Sequence, residues 1–426
     1  MVILQQTQWY KSKTPWYEPP ASFFQQTGRE PKTAIVIGAG LAGASAAYQL
    51  AQLGLQVQVL EQAHSMAQGA SGNLAGALHP LVTADWNLRS QWYAQGLQAS
   101  LAFVQPRLAT GQISGELSGL MHLAVDEKNR QRMQQAVQRV AHLSGLAHWC
   151  DAAQASQKLG GKTAQSGLFF PNAGWLNPPS IVKYCLAHSG VSVKYACPVL
   201  AAEYDKRNQA WLISTPNRGW QADVLVVATG AISGLNEVFS LPIRPVKGQV
   251  TSLKPEHQAW VLKCAVAHQG YSAPAPKGYA VTGATFEAPD LSPESSEQAD
   301  QQNRAMVQAS LPDWLCSTTK GALGRVSFRP TTPDHLPIIG AQPDFDWMMR
   351  QYFSASSSHT PYRFPPVVYQ PGLYVSNGHG ARGLMSVFLA AELISAQLVG
   401  KPPPLSAKLY AASHPARFAV RHWQRG

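Results

Sequence analysis

Residues Gly38 to Gly43 read GAGLAG, and a GxGxxG run of this kind suits one piece of chemistry, the cradling of a pyrophosphate. Gly38 permits a tight turn, Gly40 lets the backbone approach the phosphates, and Gly43 lets a helix pack close to the preceding strand. Ala39, Leu41 and Ala42 complete the run at a helix start, whose unpaired N–H groups and partial positive charge favour an anion. Glu61, 23 residues beyond Gly38, ends the next apolar segment and is placed to accept hydrogen bonds from an adenosine ribose. This fingerprint does not separate FAD from NAD, but three later small-residue turns bear on the choice. The loop QGASGNLAGAL brings Gly69, Ala70, Ser71, Gly72, Asn73 and Gly76, whose backbone can run along an extended cofactor. VLVVATGA ends in Ala228, Thr229 and Gly230. NGHGARGL places Gly378, His379, Gly380, Arg382, Gly383 and Leu384 at a helix start, where the dipole can stabilise the negative charge of a reduced flavin. In that order along the chain, the turns point to FAD.

These residues need elements to hold them. TAIVI from Thr33 is a continuous apolar strand, 42–53 a helix, and QVQVL a second strand ending at Glu61. Residues 127–141 carry Met133, Ala136, Val137 and Val140 on one helical face, with Lys128, Arg132 and Arg139 opposite. VLVVATG and LYVSNG are later strands, and a helix follows from about Leu384 to Leu398. The acidic and Ser-rich stretch 287–301 and the stretch 351–366 read as surface loops. Strands spread along the chain and flanked by helices predict an α/β protein with a parallel sheet assembled from separated segments. The expected division is a tail or linker over 1–31, docking through aromatics such as Trp9 and Trp16. A Rossmann-like FAD-binding domain follows over 32–110, 170–240 and 322–400. A second, α+β substrate domain covers 111–169 and 241–321, and a basic tail covers 401–426.

Hydrophobic residues make up 45% of the 426, enough for a sizeable core. Lys plus Arg number 34 against 23 Asp plus Glu, giving +11, a balance that suits a polyanionic partner and equally suits mere solubility. Five scattered cysteines with no CxxC pair argue against a disulfide framework and against a zinc or other metal site, and fit a reducing cytoplasm. The uncharged stretch between Lys32 and Glu61 is too rich in Gly and Gln for a membrane span.

GAGLAG with Glu61, GASGN, VVATGA and GHGARGL resemble the D-amino-acid oxidase and glycine oxidase family of FAD-dependent oxidoreductases. More narrowly, GASGNLAGALHPL, GATFE, TTPDHLPIIG, LAAELISAQL and HPARF resemble the FAD domain of bifunctional proteins that modify the tRNA wobble uridine, over about residues 32–422. The resemblance implies a glycine-oxidase-like fold, FAD as cofactor and tRNA as partner. It implies oxidation of a 5-carboxymethylaminomethyl group to 5-aminomethyl, with glyoxylate released. About thirty residues precede the first strand, so methyl transfer falls to a separate methyltransferase, and the chain is either a standalone oxidoreductase or a fragment.

The resemblance also implies site residues. Arg329, in SFRPTTPDHLPIIG, matches the Arg that binds the substrate carboxylate, with Arg325 in reserve; a surface or ion-paired Arg is the plain alternative. Tyr271 matches a substrate-facing tyrosine, or is a core residue of a strand. His379 and Arg382 could touch the flavin pyrimidine edge. Asp334 and His335 suggest an acid–base pair, although DHLP better fits the end of a strand, and Arg244 and Lys247 suit the fold. For RNA, the tail offers Lys401, Lys408, Arg417, Arg421 and Arg425 with Tyr410, His414, His422 and Trp423, a mixture that suits phosphates and bases or simply a solvated helix end. Two rival functions share these motifs: oxidation of a free small amino acid (glycine, sarcosine or a D-amino acid), and tRNA binding by a flavoprotein without turnover.

Overall fold

A computed structural model describes residues 10–11, 18–143, 145–287, 292–316, 321–352, 363–364 and 366–423. Its first half-core begins with β1 (Thr33–Ile37), α1 (Leu41–Gln52) and β2 (Gln56–Leu60), followed by the long helix α2 (Leu88–Ala109). Later come β3 (Val191–Lys194), β4 (Val224–Val227), β5 (Ile338–Pro343), β6 (Tyr369–Asn377) and α3 (Val387–Val399). The strands form one sheet in the order β3-β2-β1-β4-β6-β5, parallel except for β5 against β6. The run TAIVI forms its centre because it is buried on both faces. Ala34 and Val36 face a core shared with α1 and α3, while Ile35 and Ile37 face Trp211 and Ile213 of a three-stranded antiparallel layer.

A second, eight-stranded sheet runs in the order Leu323–Thr331, Arg244–Leu253, Ala280–Gly283, Tyr271–Pro274, Ala265–Ala267, Leu120–Leu123, Gly167–Phe170, His148–Cys150. This moves the expected boundary at 322. Leu323–Thr331 pairs along its whole length with Arg244–Leu253, so the first sheet resumes only at β5. Hydrophobic alternation tells that a segment is a strand, not which sheet it joins. The expected loop over 287–301 also changes, since its last residues open the helix Glu297–Gln308, capped by the Ser296 hydroxyl. The helix expected over 127–141 forms as Glu127–Arg139.

Among the described residues, 18–31 and 401–423 are more structured than a tail. Phe23, in the short helix Phe23–Thr27, is fully buried in the core beneath the first sheet. Trp9, Trp16 and the stretch 353–362 lie outside the described residues. At the other end, Ala407–Ser413 and Arg417–Trp423 are helices, with Tyr410, His414 and Arg417 buried. Arg417 forks onto Asp334 (Nε to Oδ2 and Nη2 to Oδ1, both 2.9 Å), and Arg421 Nη1 joins at 2.7 Å. Two cations of the basic tail, Arg417 and Arg421, are thus engaged in the fold, and Asp334, also accepting Leu336 N–H at 3.2 Å, holds the turn between Leu323–Thr331 and β5.

Candidate active site

The carboxyl ends of β1, β2 and β4 and the second sheet enclose a cavity of about 700 Å³. Its floor is the GAGLAG turn. Gly38 has φ 109°, a backbone that only glycine adopts without strain, and a Cβ on Gly43 would crowd Val36 Cγ1 at 3.3 Å. Gly40 caps α1 without a side chain, and a Cβ there would meet Ser71 Oγ at 3.2 Å, the atom that accepts Leu41 N–H at 2.9 Å. Glu61 accepts Ala39 N–H at 2.6 Å and Ala63 N–H at 2.8 Å, so it closes the turn as well as lining the cavity.

Of the expected cofactor residues, Gly38, Gly40, Leu41, Ala42 and Glu61 line this cavity, as do Gly69, Ala70, Ser71, Asn73 and Gly76 of the following loop. Ala228, Thr229 and Gly230 line it from β4, and His379, Gly380, Arg382, Gly383 and Leu384 from the turn after β6. Ala39, Gly43, Gly72 and Gly378 stand behind the wall: Ala39 is fully buried, Gly72 abuts Arg325, and Gly378 (φ 73°) makes the turn. Side chains added at Gly69 or Gly230 would meet only open space, so these walls leave room for an extended dinucleotide. Asn377 locks the β4 turn by donating to Thr229 Oγ1 (3.0 Å), Gly230 O (3.2 Å) and Asn236 Oδ1 (3.0 Å).

His379 differs from the expected flavin contact. Its ring nitrogens meet Ser376 Oγ at 3.1 Å and Ser386 Oγ at 2.8 Å, and burial draws its pKa down to about 4. The imidazole is neutral and already engaged at both nitrogens by the two serine hydroxyls.

Arg329 projects from Leu323–Thr331 into the cavity and is 9% exposed. Its Nη1 donates to the Thr285 carbonyl at 3.3 Å, and among the described residues no carboxylate pairs with it. Burial lowers its pKa, the mark of a cation short of compensation. Tyr271 lines the same cavity and donates to the Ala75 carbonyl at 3.1 Å; burial pushes its hydroxyl up to about 12, so it is a neutral donor beside Arg329. Arg325 takes a different role from the one held in reserve for it. Its fork binds Asn73 Oδ1 (2.9 Å), Gln68 O (2.9 Å) and Gly69 O (2.8 Å), which fixes the small-residue loop.

Two residues escaped the sequence reading. His79, which lines the cavity, donates from Nδ1 to the Pro80 carbonyl at 2.9 Å, which assigns the tautomer and leaves Nε2 as an acceptor. Burial, then the charge of Arg382, keeps that ring neutral. Phe286 sits at the rim with its ring centre 4.6 Å from Arg329 Cζ. The motif GASGNLAGALHPL contains His79 but gives no reason to single it out, and nothing local marks Phe286.

A family model described as FAD dependent oxidoreductase matches residues 33–397. The tRNA 5-methylaminomethyl-2-thiouridine biosynthesis bifunctional protein MnmC of Hydrogenovibrio crunogenus is 53% identical over 98% of this chain and 62% of its own length. The protein of that name in Pseudomonas putida is 34% identical over 97% of this chain and 62% of its own. The chain thus spans about three fifths of the curated relatives it matches. Among solved structures, glycine oxidase from Geobacillus kaustophilus superposes with a TM-score of 0.71 at 20% identity, covering 91% of this chain and 99% of that one. Iminodiacetate oxidase from Chelativorans sp. BNC1 gives 0.68 at 21% identity, covering 90% and 98%. These two show a shared fold.

Proposed function

The chain belongs to the DAO family of FAD-dependent oxidoreductases, and from that membership we propose that it oxidises the 5-carboxymethylaminomethyl group of the tRNA wobble uridine to 5-aminomethyl, releasing glyoxylate. The observation that carries the reading is Arg329, a buried guanidinium on the cavity wall with no carboxylate partner among the described residues. The 53% identity to a relative named for tRNA 5-methylaminomethyl-2-thiouridine biosynthesis supports the choice of substrate. A cytoplasmic setting follows from the same reading.

The GAGLAG turn, Glu61, the loop over Gly69–Asn73 and the turns at Gly230 and Gly380 would hold FAD. When bound, FAD supplies the two-electron acceptor for the C–H bond between the substrate's nitrogen and its carboxylate. The substrate arm is R–CH2–NH–CH2–COO⁻. Arg329 binds the carboxylate through a planar fork, and Tyr271 stands beside it as a second polar contact. The positive charges of Arg329 and Arg382 disfavour an ammonium in the cavity, so the amine is bound as the free base. His79 Nε2 accepts the hydrogen of that amine and so fixes the direction of the nitrogen lone pair that assists loss of hydride. Loss of hydride leaves a C=N bond, and water adds to its carbon. The C–N bond then breaks to give R–CH2–NH2 and OHC–COO⁻.

The test is nucleoside analysis of tRNA from a strain lacking this chain, together with anaerobic bleaching of the purified yellow protein. The expected results are accumulation of the carboxymethylaminomethyl nucleoside and bleaching by undermodified tRNA. Bleaching by glycine or sarcosine with none by that tRNA overturns the substrate and leaves the family intact.

A further inference from the structure

Phe286 is 70% exposed, yet it lines the cavity that holds Arg329. Single exposed apolar side chains are common and mean little by themselves. This one is different in being held. Thr285 N–H donates to the Gln249 carbonyl and Glu287 N–H to the Lys247 carbonyl, both at 3.1 Å, on either side of Phe286. Thr285 Oγ1 accepts Gln249 N–H at 2.9 Å and donates to Glu287 Oε1 at 2.7 Å, while Lys247 Nζ lies 3.5 Å from Glu287 Oε2. An aromatic face is therefore presented at the rim by anchored backbone, with Ile232 and Pro293 also lining the cavity.

Its distance from the carboxylate site is informative. The ring centre is 4.6 Å from Arg329 Cζ. In the proposed substrate, four bonds of about 1.5 Å separate the carboxylate carbon from C5 of the base, roughly 5 Å end to end. A carboxylate on Arg329 thus puts its own pyrimidine ring within reach of Phe286. A free amino acid fills the Arg329 end and leaves the aromatic face in water.

We propose that Phe286 is the stacking platform for an unpaired pyrimidine base of the RNA substrate, and that it sets the preference for an RNA-borne amine over a free amino acid. This rests on the function proposed above and names the part of the site that reads the nucleobase. Stacking suits the task because a base lifted out of a loop exposes both faces, and an aromatic ring covers one of them without needing a hydrogen bond.

The experiment uses a synthetic anticodon stem-loop carrying 5-carboxymethylaminomethyluridine at the wobble position, with steady-state glyoxylate release in the presence of a redox dye as readout. For Phe286→Ala, KM for the stem-loop is expected to rise about tenfold or more while kcat changes far less, as for loss of one base–aromatic stack. Phe286→Trp should restore KM, and its added tryptophan fluorescence, taken as the difference from the parent protein, should be quenched by the stem-loop. A KM for Phe286→Ala within twofold of the parent, or no added quenching in Phe286→Trp, overturns the platform. A parent protein that releases no glyoxylate from the stem-loop overturns the substrate reading itself, and the platform with it.

Discussion

Arg325 Nη1 donates to Asn73 Oδ1 at 2.9 Å, and through this bond the second sheet grips the loop that the first sheet offers to the cofactor. The same guanidinium takes the Gln68 and Gly69 carbonyls, so one side chain fixes three points of a loop with little packing of its own. Arg325→Gln should therefore weaken FAD retention by about tenfold, the worth of one or two charge-assisted hydrogen bonds. Titration of the apoprotein with FAD, followed by quenching of flavin fluorescence, measures it; an unchanged Kd refutes the role.

Arg329 makes the opposite trade between stability and function. Arg329→Lys should keep the yellow spectrum but lose on the order of a hundredfold or more in the rate of flavin reduction, because an ammonium cannot fork a carboxylate. Arg329→Met should be equally inactive yet more stable by about 1 kcal/mol, since it removes a buried charge without a carboxylate partner. Stopped-flow reduction and urea denaturation read the two effects separately.

Asp334 anchors Arg417 and Arg421, and those two cations hold its carboxyl at about 2, below its ordinary 3.8. A depressed carboxylate contributes stability that is present above the unfolded pKa and disappears as pH falls from about 4 towards 2, worth about 2 kcal/mol. Asp334→Asn should cost about 3 kcal/mol at neutral pH, because it removes the carboxylate charge onto which Arg417, 2% exposed at its side chain, forks. Thermal melts of the two proteins at pH 7 test this.

Burial holds His122, His268 and His379 down to about 4 and His414 to about 3, against 6.5 when unfolded. The unfolded chain therefore takes up more protons than the folded one between pH 6.5 and 4, and stability falls as pH falls through that window. Each ring should cost about 1 kcal/mol at pH 5.5. A Tm that is flat from pH 7.5 to 5 contradicts the neutral assignment of these rings.

What was legible in the sequence was local. GAGLAG, Glu61 and the glycine turns could be read because spacing along a strand–turn–helix sets their positions in space. Arg329 came from resemblance, and only packing shows that no carboxylate among the described residues pairs with it. Arg325, four residues away on the same strand, looks the same in sequence and does something else. In the basic tail, composition counts charges without their partners; Arg417 and Arg421 meet Asp334 across more than eighty residues. His79 and Phe286 depend on which carbonyl or guanidinium folding brings alongside, and no periodicity carries that.

Only residues 332–337 separate the last strand of the second sheet from β5 of the first, and Thr332 Oγ1, bonded to the Leu336 carbonyl at 2.7 Å, and Asp334 brace them. So short and braced a crossing denies the two sheets a swinging joint at this seam. On the function proposed above, admission of a polynucleotide then becomes a matter of the rim's contour, with a single nucleoside threading inward past a seam that does not swing.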